Sequence, residues 1–169
     1  MTPPVTLRAF TLQDADVVAS WALDPAFVAL AGWSCRTAAE HREHQRRLVS
    51  RSARFPGWER LAATTPGLGV VGYLDLAAGP DATEVGYAVG PSARWGRGLG
   101  SAVLAAGVVE AGRRGLPALL ALVSPAHARS RGVLRACGFT RVHAGADTET
   151  WRLGLGTKPV DESGPTLRR

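Results

Sequence analysis

The stretch RWGRGLGSAV, from Arg94 to Val103, decides how the chain is interpreted. Three glycines, Gly96, Gly98 and Gly100, alternate with larger residues just ahead of a run with helical spacing. Glycine permits positive φ angles and lets another molecule come close to the backbone. The first amides of a helix have no acceptor within it and carry the positive end of its dipole. The stretch therefore predicts either a diphosphate-binding loop or a tight turn whose glycines only satisfy local geometry.

Strands and helices are predicted on both sides of this loop, which indicates a mixed α/β domain over residues 1–155. Two Thr-x-x-Asp/Glu capping patterns, at Thr11 and Thr37, predict helix starts. We expect helices from Thr11 to about Leu23 and over 41–53, 100–115 and 128–138. Strands are expected over 5–10, 60–65, 69–77, 83–89, 118–123, 139–144 and 148–155. The run 118–123 is continuously apolar, as in a strand buried on both faces. Residues 156–169 have too few apolar side chains to pack and are predicted to be a disordered tail.

Composition restricts the location of the chain. No apolar run among its 169 residues approaches the roughly 18 that a membrane helix needs. The N-terminus has neither a basic n-region nor an apolar h-region, so no signal peptide is expected. Cys35 and Cys137 lie far apart, which favours two reduced thiols. We therefore expect a cytoplasmic protein without a membrane partner.

The net charge of +6 favours an anionic partner, such as a phosphate-bearing cofactor, a nucleic acid or an acidic protein. No stretch interleaves aromatic with basic residues, so nucleic-acid binding is disfavoured. A P-loop is excluded because the chain contains no Gly-Lys dipeptide. A Rossmann loop is disfavoured because the glycines lie in mid-chain and the following strand carries no acidic residue for a ribose.

The remaining phosphate loop brings a family resemblance. Residues 95–100, WGRGLG, resemble the Q/R-x-x-G-x-G/A loop of GNAT N-acetyltransferases, with Trp95 in the Gln/Arg position. Three further stretches resemble other motifs of that family in the same order. These are LRAFTLQDADVVASW (7–21), EVGYAVGP (84–91) and SRGVLRACGF (130–139). Within the family the chain is most similar to the RimJ/RimL-type amino-terminal acetyltransferases.

The resemblance implies a mixed, mostly antiparallel sheet, flanked by helices, whose fourth and fifth strands splay apart around acetyl-CoA. Main-chain groups near Ala88 and Val89 would pair with the pantetheine, and the amide near Val89 would hold the oxyanion. The diphosphate would rest on the glycine-rich loop. The loop residues implied are Trp95, Gly96, Arg97, Gly98, Leu99, Gly100 and Ser101. Arg94 and Arg97 add positive charge there.

Four positions bear on the chemistry of transfer. Glu84 matches a strand glutamate that some members use as general base, although it fits a solvent-facing strand position equally well. Many members have a tyrosine acid where Leu134 stands, so Ser130 is the better proton donor here; it could also be a helix-start hydroxyl. His127 could contact the pantetheine or cap a helix.

Other candidate residues are given structural roles. His41 and His44 lie one turn apart beside glutamates, but no third ligand is apparent, so a solvated helix face is favoured and no metal is predicted. Cys137 precedes a Gly-Phe pair in a packing position. Trp33 and Trp58 are candidates for lining an acceptor site.

The resemblance thus predicts an acetyl-CoA-dependent N-acetyltransferase acting on a primary amine, as a monomer or homodimer. The acceptor is a protein N-terminus, which the RimL-like motifs favour, or a small-molecule amine. Two alternatives stay open. One is a non-catalytic acyl-CoA-binding module, which would keep the glycine loop and lose acid and base groups. The other is a nucleotide-dependent enzyme that binds NAD or ATP in preference to coenzyme A.

Overall fold

The computed structural model describes residues 4–33 and 37–156. The predicted tail, beyond its first residue, lies outside the described residues, and so does Cys35. The helices are α1 (Leu12–Ser20), α2 (Pro25–Leu30), α3 (Ala38–Arg54), α4 (Leu99–Arg113) and α5 (Ala128–Ala136). The strands are β1 (Thr6–Ala9), β2 (Trp58–Thr65), β3 (Gly69–Ala78), β4 (Thr83–Val89), β5 (Ala118–Val123), β6 (Thr140–Ala144) and β7 (Glu149–Gly154). In this part of the chain, the predicted order of helices and strands is confirmed except for α2, which is not predicted.

The strands form one sheet in the order β1-β2-β3-β4-β5-β7-β6. Every neighbouring pair is antiparallel except β4 and β5, which run parallel. That parallel pairing covers only Thr83 with Leu119 and Glu84 with Leu120. Beyond Glu84 the two strands separate, so the predicted mixed sheet with splayed fourth and fifth strands is confirmed.

The splay also explains the burial of β5. Leu122 lies in the half of β5 that has lost its β4 partner, and it is 54% exposed. The expectation that this strand is buried on both faces is therefore wrong at its C-terminal half. A continuous apolar run cannot distinguish a covered strand from one that borders a cleft.

Two hydrophobic cores hold helices against opposite faces of the sheet. α4 packs on one face through Val103 and Leu104, against Leu74 and Leu119. The helix approaches the sheet closely at Gly107, where a Cβ would collide with the Leu74 side chain. On the other face, Phe27 and residues of α1 pack against Ala62 and Tyr73. Because helices pack on both faces of the sheet, the β4–β5 gap opens towards α4 on one face and towards α1 and α2 on the other.

Both predicted capping boxes are confirmed. The Thr11 and Thr37 hydroxyls accept bonds from the amides three residues later, and the Asp14 and Glu40 carboxylates accept from the cap amides in return. One helix is missed from sequence, because Asp24-Pro25 directly follows the predicted helix end near Leu23 and an X-Pro pair suits such an end. Asp24 instead caps α2, where proline occupies a first-turn position that needs no donor. Between α1 and α2 lies a 3-10 turn, Trp21–Leu23.

A buried polar cluster lies between the sheet and α3, on the face of the sheet that also carries α1. The Arg60 guanidinium donates two bonds to the Asp75 carboxylate, at 2.7 and 2.6 Å. A third bond, of 2.6 Å, reaches the Gln45 side-chain oxygen on α3. The guanidinium also lies 3.7 Å from the centre of the Tyr73 ring. The cluster therefore fixes α3 and the central strands relative to each other.

Candidate active site

The gap between β4 and β5 widens into a cleft of about 700 Å³. Its walls come from both faces of the sheet. On one face the lining residues belong to the loop before α4 and to α5; on the other they belong to α2, the turn after it, and β3. Because the sheet is open there, the cleft connects these two mouths.

The loop before α4 forms the rim of the first mouth. Gly96 and Gly98 adopt φ angles of +76° and +77°, which a residue with a side chain rarely adopts. Gly98 is the N-cap of α4, and the first helical bond runs from the Ala102 amide to the Gly98 carbonyl at 3.0 Å. Three amides that follow the cap therefore have no acceptor within the helix. They belong to Leu99, Gly100 and Ser101.

The third glycine of the loop serves packing. Gly100 does not have a positive φ, but a Cβ there would come within 3.2 Å of the Val133 side chain on α5. The same contact region holds Cys137, whose thiol lies 3.5 Å from the Ser101 carbonyl. Burial raises the pKa of the Cys137 thiol, which keeps it protonated. The structure gives Cys137 the packing surroundings that its position indicated.

Trp95 ties the loop to the end of β4. Its indole nitrogen donates a 2.7 Å bond to the Val89 carbonyl. The Arg129 guanidinium of α5 lies 5.1 Å from the centre of the Trp95 ring, across the mouth of the cleft. Arg94 fixes the loop in a similar way, because its Nη1 donates to the Val70 carbonyl at 2.7 Å. Both side chains thus hold the loop in place as well as lining the cleft.

The register of β3 and β4 decides which main-chain groups face the gap. Ala88 is opposite Tyr73, and its carbonyl lies against β3 beside Gly72. The main-chain groups of Ala88 are therefore directed to β3, which corrects the expectation that they serve a ligand; its small side chain lines the cleft instead. In an antiparallel ladder the alternate residues, here Tyr87 and Val89, direct their groups the other way.

Ser130 and Tyr87 meet across the cleft. Their hydroxyl oxygens are 3.1 Å apart, and both residues line the cleft. Burial raises the pKa of the Tyr87 hydroxyl to about 12. Sequence reasoning missed Tyr87 because it appeared only as a strand residue of a family motif. Its alternation with Val85 and Val89, away from Glu84, was the available signal.

His127 caps α5. Its Nδ1 accepts a bond of 3.1 Å from the Ser130 amide, so the neutral ring carries its proton on Nε2. Burial lowers the pKa of the imidazole, which favours this neutral form. The cap is one of the two roles considered above, and His127 also lines the cleft, where Nε2 remains a donor.

Glu84 lies apart from these residues. It is exposed, at the point where β4 still pairs with β5, and it does not line the cleft. Any proton transfer to its carboxylate therefore has to pass through water.

The second mouth of the cleft has an aromatic wall. Trp33 and Trp58 are not among the described residues that line the cleft, so their place in an acceptor site stays a prediction. Trp33 stacks on His41 with ring centres 4.6 Å apart, and Trp58 lies over Arg51. Phe27, supported edge-on by Trp33 at 5.0 Å, lines the cleft. Phe27 lies on α2, a helix that is not predicted from the sequence.

Metal-ligand clusters and membrane-spanning helices are absent from the described ranges, 4–33 and 37–156. No group of three or more histidine, cysteine, aspartate or glutamate residues there could hold a metal ion. No helix in the same ranges is both long and apolar enough to cross a membrane.

Known proteins share this architecture. AAC(6')-Ib, in complex with paromomycin and acetyl-CoA, aligns with a TM-score of 0.74 and 18% identity, covering 89% of this chain and 93% of that one. Spermidine N-acetyltransferase from Vibrio cholerae, in complex with CoA and spermine, gives 0.74 and 13%, covering 90% and 96%. RimL, a ribosomal alpha-N-protein acetyltransferase, gives 0.73 and 17%, covering 89% and 90%. At these identities the likeness shows a shared fold.

Sequence comparison adds the family. No curated protein matches the chain significantly. A profile of the acetyltransferase (GNAT) domain, however, matches residues 5–140, which is most of the chain and includes β4, the glycine loop and α5. The chain therefore belongs to the GNAT acetyltransferase family.

Proposed function

We propose that the chain transfers an acetyl group from acetyl-CoA to a primary amine. The observation that carries this proposal is the meeting of three features in one cleft: splayed strands, unpaired amides at the start of α4, and a pair of hydroxyls. Structures of two relatives, AAC(6')-Ib and the Vibrio cholerae spermidine acetyltransferase, contain acetyl-CoA or CoA. The acceptor proposed is the α-amine of a protein or peptide, or a small-molecule amine.

The donor would enter through the first mouth. A diphosphate suits the amides of Leu99, Gly100 and Ser101, because the helix dipole adds positive potential where they point. The pantetheine would lie along β4 and pair with main-chain groups of Tyr87, taking the place of the part of β5 that has separated from β4. Since the Val89 carbonyl is occupied by Trp95, the Val89 amide is the group left to hold the thioester oxygen.

The amine would arrive from the second mouth and attack the thioester carbon directly. A C–N bond forms, the C–S bond breaks, and the thiolate leaves. The ammonium proton passes through water to a base, for which Glu84 stays our proposal, while Ser130 supplies a proton to the thiolate and takes one back from water. The amine has to be neutral to attack. At pH 7 deprotonation costs about 1 kcal/mol for an α-amine but about 4–5 kcal/mol for a lysine side chain, which favours the α-amine.

Replacing Tyr87 by phenylalanine should lower kcat about 100-fold and leave coenzyme A affinity unchanged, because the Ser130 hydroxyl loses the partner that positions it. Ser130→Ala should lower kcat by a similar factor, and the kcat of the double variant should be no lower than that of the less active single variant. Steady-state kinetics and titration with coenzyme A measure both quantities. With its pKa near 12, Tyr87 stays protonated through neutral pH, so its ionisation should not reduce the wild-type rate there. An unchanged kcat for Tyr87→Phe would remove it from the mechanism.

Glu84→Gln tests the proposed base. We expect a lower kcat with a flatter pH dependence, since the amide cannot take up the ammonium proton, and an unchanged Kd for coenzyme A. Glu59→Gln is a matched control, because Glu59 is a strand glutamate outside the cleft that pairs with Arg114. Equal pH–rate profiles for wild type and Glu84→Gln would mean that water alone accepts the proton.

A non-catalytic acyl-CoA-binding module is the second candidate, and one observation favours it: no carboxylate lines the cleft in the described part of the chain. Release of free thiol from acetyl-CoA, measured against a broad panel of amines, separates the two. Thiol release that depends on an amine supports the transferase. Binding of coenzyme A without release supports the module, and tighter binding of ATP or NAD than of coenzyme A would contradict both.

A further inference from the structure

The second mouth of the cleft is apolar. Its wall consists of Phe27, Leu30, Ala31, Gly32 and Tyr73, and Leu122 faces it from β5. Leu30 and Leu122 are 37% and 54% exposed, an unusual state for two leucines that border the same cavity. Phe27 is held rigidly, because its ring makes an edge contact with Trp21 at 5.4 Å as well as with Trp33.

The charges along the cleft have one sign. Among the described residues that line it, the charged ones are Arg94 and Arg129, both at the first mouth, and none is aspartate or glutamate. The Arg94 Nη1 donates to carbonyl oxygens, and no carboxylate pairs with Arg94 within the described ranges. The segment 34–36, which joins the wall to α3 in sequence, contains no acidic residue.

Two carboxylates on neighbouring elements, Asp75 and Asp24, are engaged in hydrogen bonds. Asp75 lies opposite Gly86 on β3, but both of its oxygens accept bonds from Arg60. Asp24 caps α2 and accepts a 2.6 Å bond from the Ser92 amide. Neither carboxylate lines the cleft.

A polycationic acceptor therefore meets unfavourable conditions. Its reacting amine becomes neutral, but each further ammonium would leave water for an apolar wall on which no described residue carries a carboxylate. An apolar group beside the amine would instead cover the exposed Leu30 and Leu122.

From this geometry we infer that the acceptor is a primary amine with one positive charge and an adjoining apolar group. Polyamines and aminoglycosides, which occupy structures of two relatives, are rejected. This inference rests on the proposed function for its chemistry, but it concerns the selectivity of the second mouth and can be measured without turnover.

Titration of the protein saturated with coenzyme A, which has no acetyl group to transfer, isolates acceptor binding. Calorimetry with 2-phenylethylamine and with spermidine should give a Kd at least tenfold lower for 2-phenylethylamine. With acetyl-CoA, a hexapeptide that begins with phenylalanine then distinguishes the two sources of such an amine. Faster thiol release with the peptide indicates a peptide terminus, and faster release with 2-phenylethylamine indicates a small molecule.

Leu30→Glu places a carboxylate on the wall and should raise the affinity for spermidine, relative to 2-phenylethylamine, at least tenfold. Leu23→Glu is the matched control, since Leu23 is 76% exposed on the adjacent 3-10 turn and does not line the cleft. It should leave the ratio unchanged. Spermidine binding as tight as that of 2-phenylethylamine, no binding of either, or an equal effect of the two variants overturns the inference. Thiol release that no amine stimulates, despite the expected binding ratio, overturns the proposed function alone.

Discussion

Coenzyme A should bind at least 100-fold more weakly to Gly98→Val than to the wild-type protein. The N-cap of α4 has φ +77° and ψ 0°, where a β-branched residue is strained by about 1–3 kcal/mol. Relief of that strain turns the amides of Leu99, Gly100 and Ser101 away from a common point. Calorimetric titration with coenzyme A measures the loss, and circular dichroism checks that the fold is retained.

Gly112→Val is the matched control for this variant. Gly112 lies near the other end of α4, is exposed, and a Cβ there would have no neighbour within 4 Å. The same substitution on the same helix should therefore leave coenzyme A binding unchanged. If Gly98→Val bound coenzyme A like the control, the diphosphate would have to bind elsewhere.

The second large effect is on stability. Arg60→Met should reduce the free energy of unfolding by about 3–5 kcal/mol, because it leaves the Asp75 carboxylate largely buried without its partner. For a domain of this size, Tm should fall by roughly 10 °C or more. Arg47→Met is the control: Arg47 pairs with Glu43, but its side chain is 76% exposed, so the expected change is below about 0.5 kcal/mol.

A double variant distinguishes the cause. Arg60→Met combined with Asp75→Leu removes both charges and should recover part of the lost stability, since no unpaired carboxylate remains. Thermal and urea unfolding measure the stability of the wild type, of Arg60→Met, of Asp75→Leu and of the double variant. If the double variant were as unstable as the sum of its single variants, the loss would come from packing around Tyr73, not from the unpaired charge.

The parts of the fold that were predicted correctly are those set by neighbouring residues. Thr11 and Thr37 cap their helices through residues three positions away. The turn before α4 follows from the positive φ angles of Gly96 and Gly98. α2 was missed because Asp24-Pro25 suits the end of one helix and the start of another equally well. Local chemistry was sufficient in the first cases and ambiguous in the last.

The candidate site was harder to predict because it depends on contacts between distant segments. Tyr87 and Ser130 are 43 positions apart, and only the crossing of β4 and α5 brings their hydroxyls together. The Ala88 main chain would have been assigned correctly only with the β3–β4 register known. The family resemblance supplied the arrangement of the strands, but not the polarity of the second mouth, which depends on how α2 packs.

The indole bond from Trp95 to the Val89 carbonyl has a consequence for donor length. One side chain connects the segment suited to the charged end of the donor with the strand residue suited to its reactive end. A donor bound at the glycine-rich loop therefore also restrains Val89, the residue beside which the thioester carbonyl is attacked. A shortened thioester that lacks the nucleotide portion should react more slowly as well as bind more weakly, because it makes no contact with the loop that helps to align the leaving sulfur.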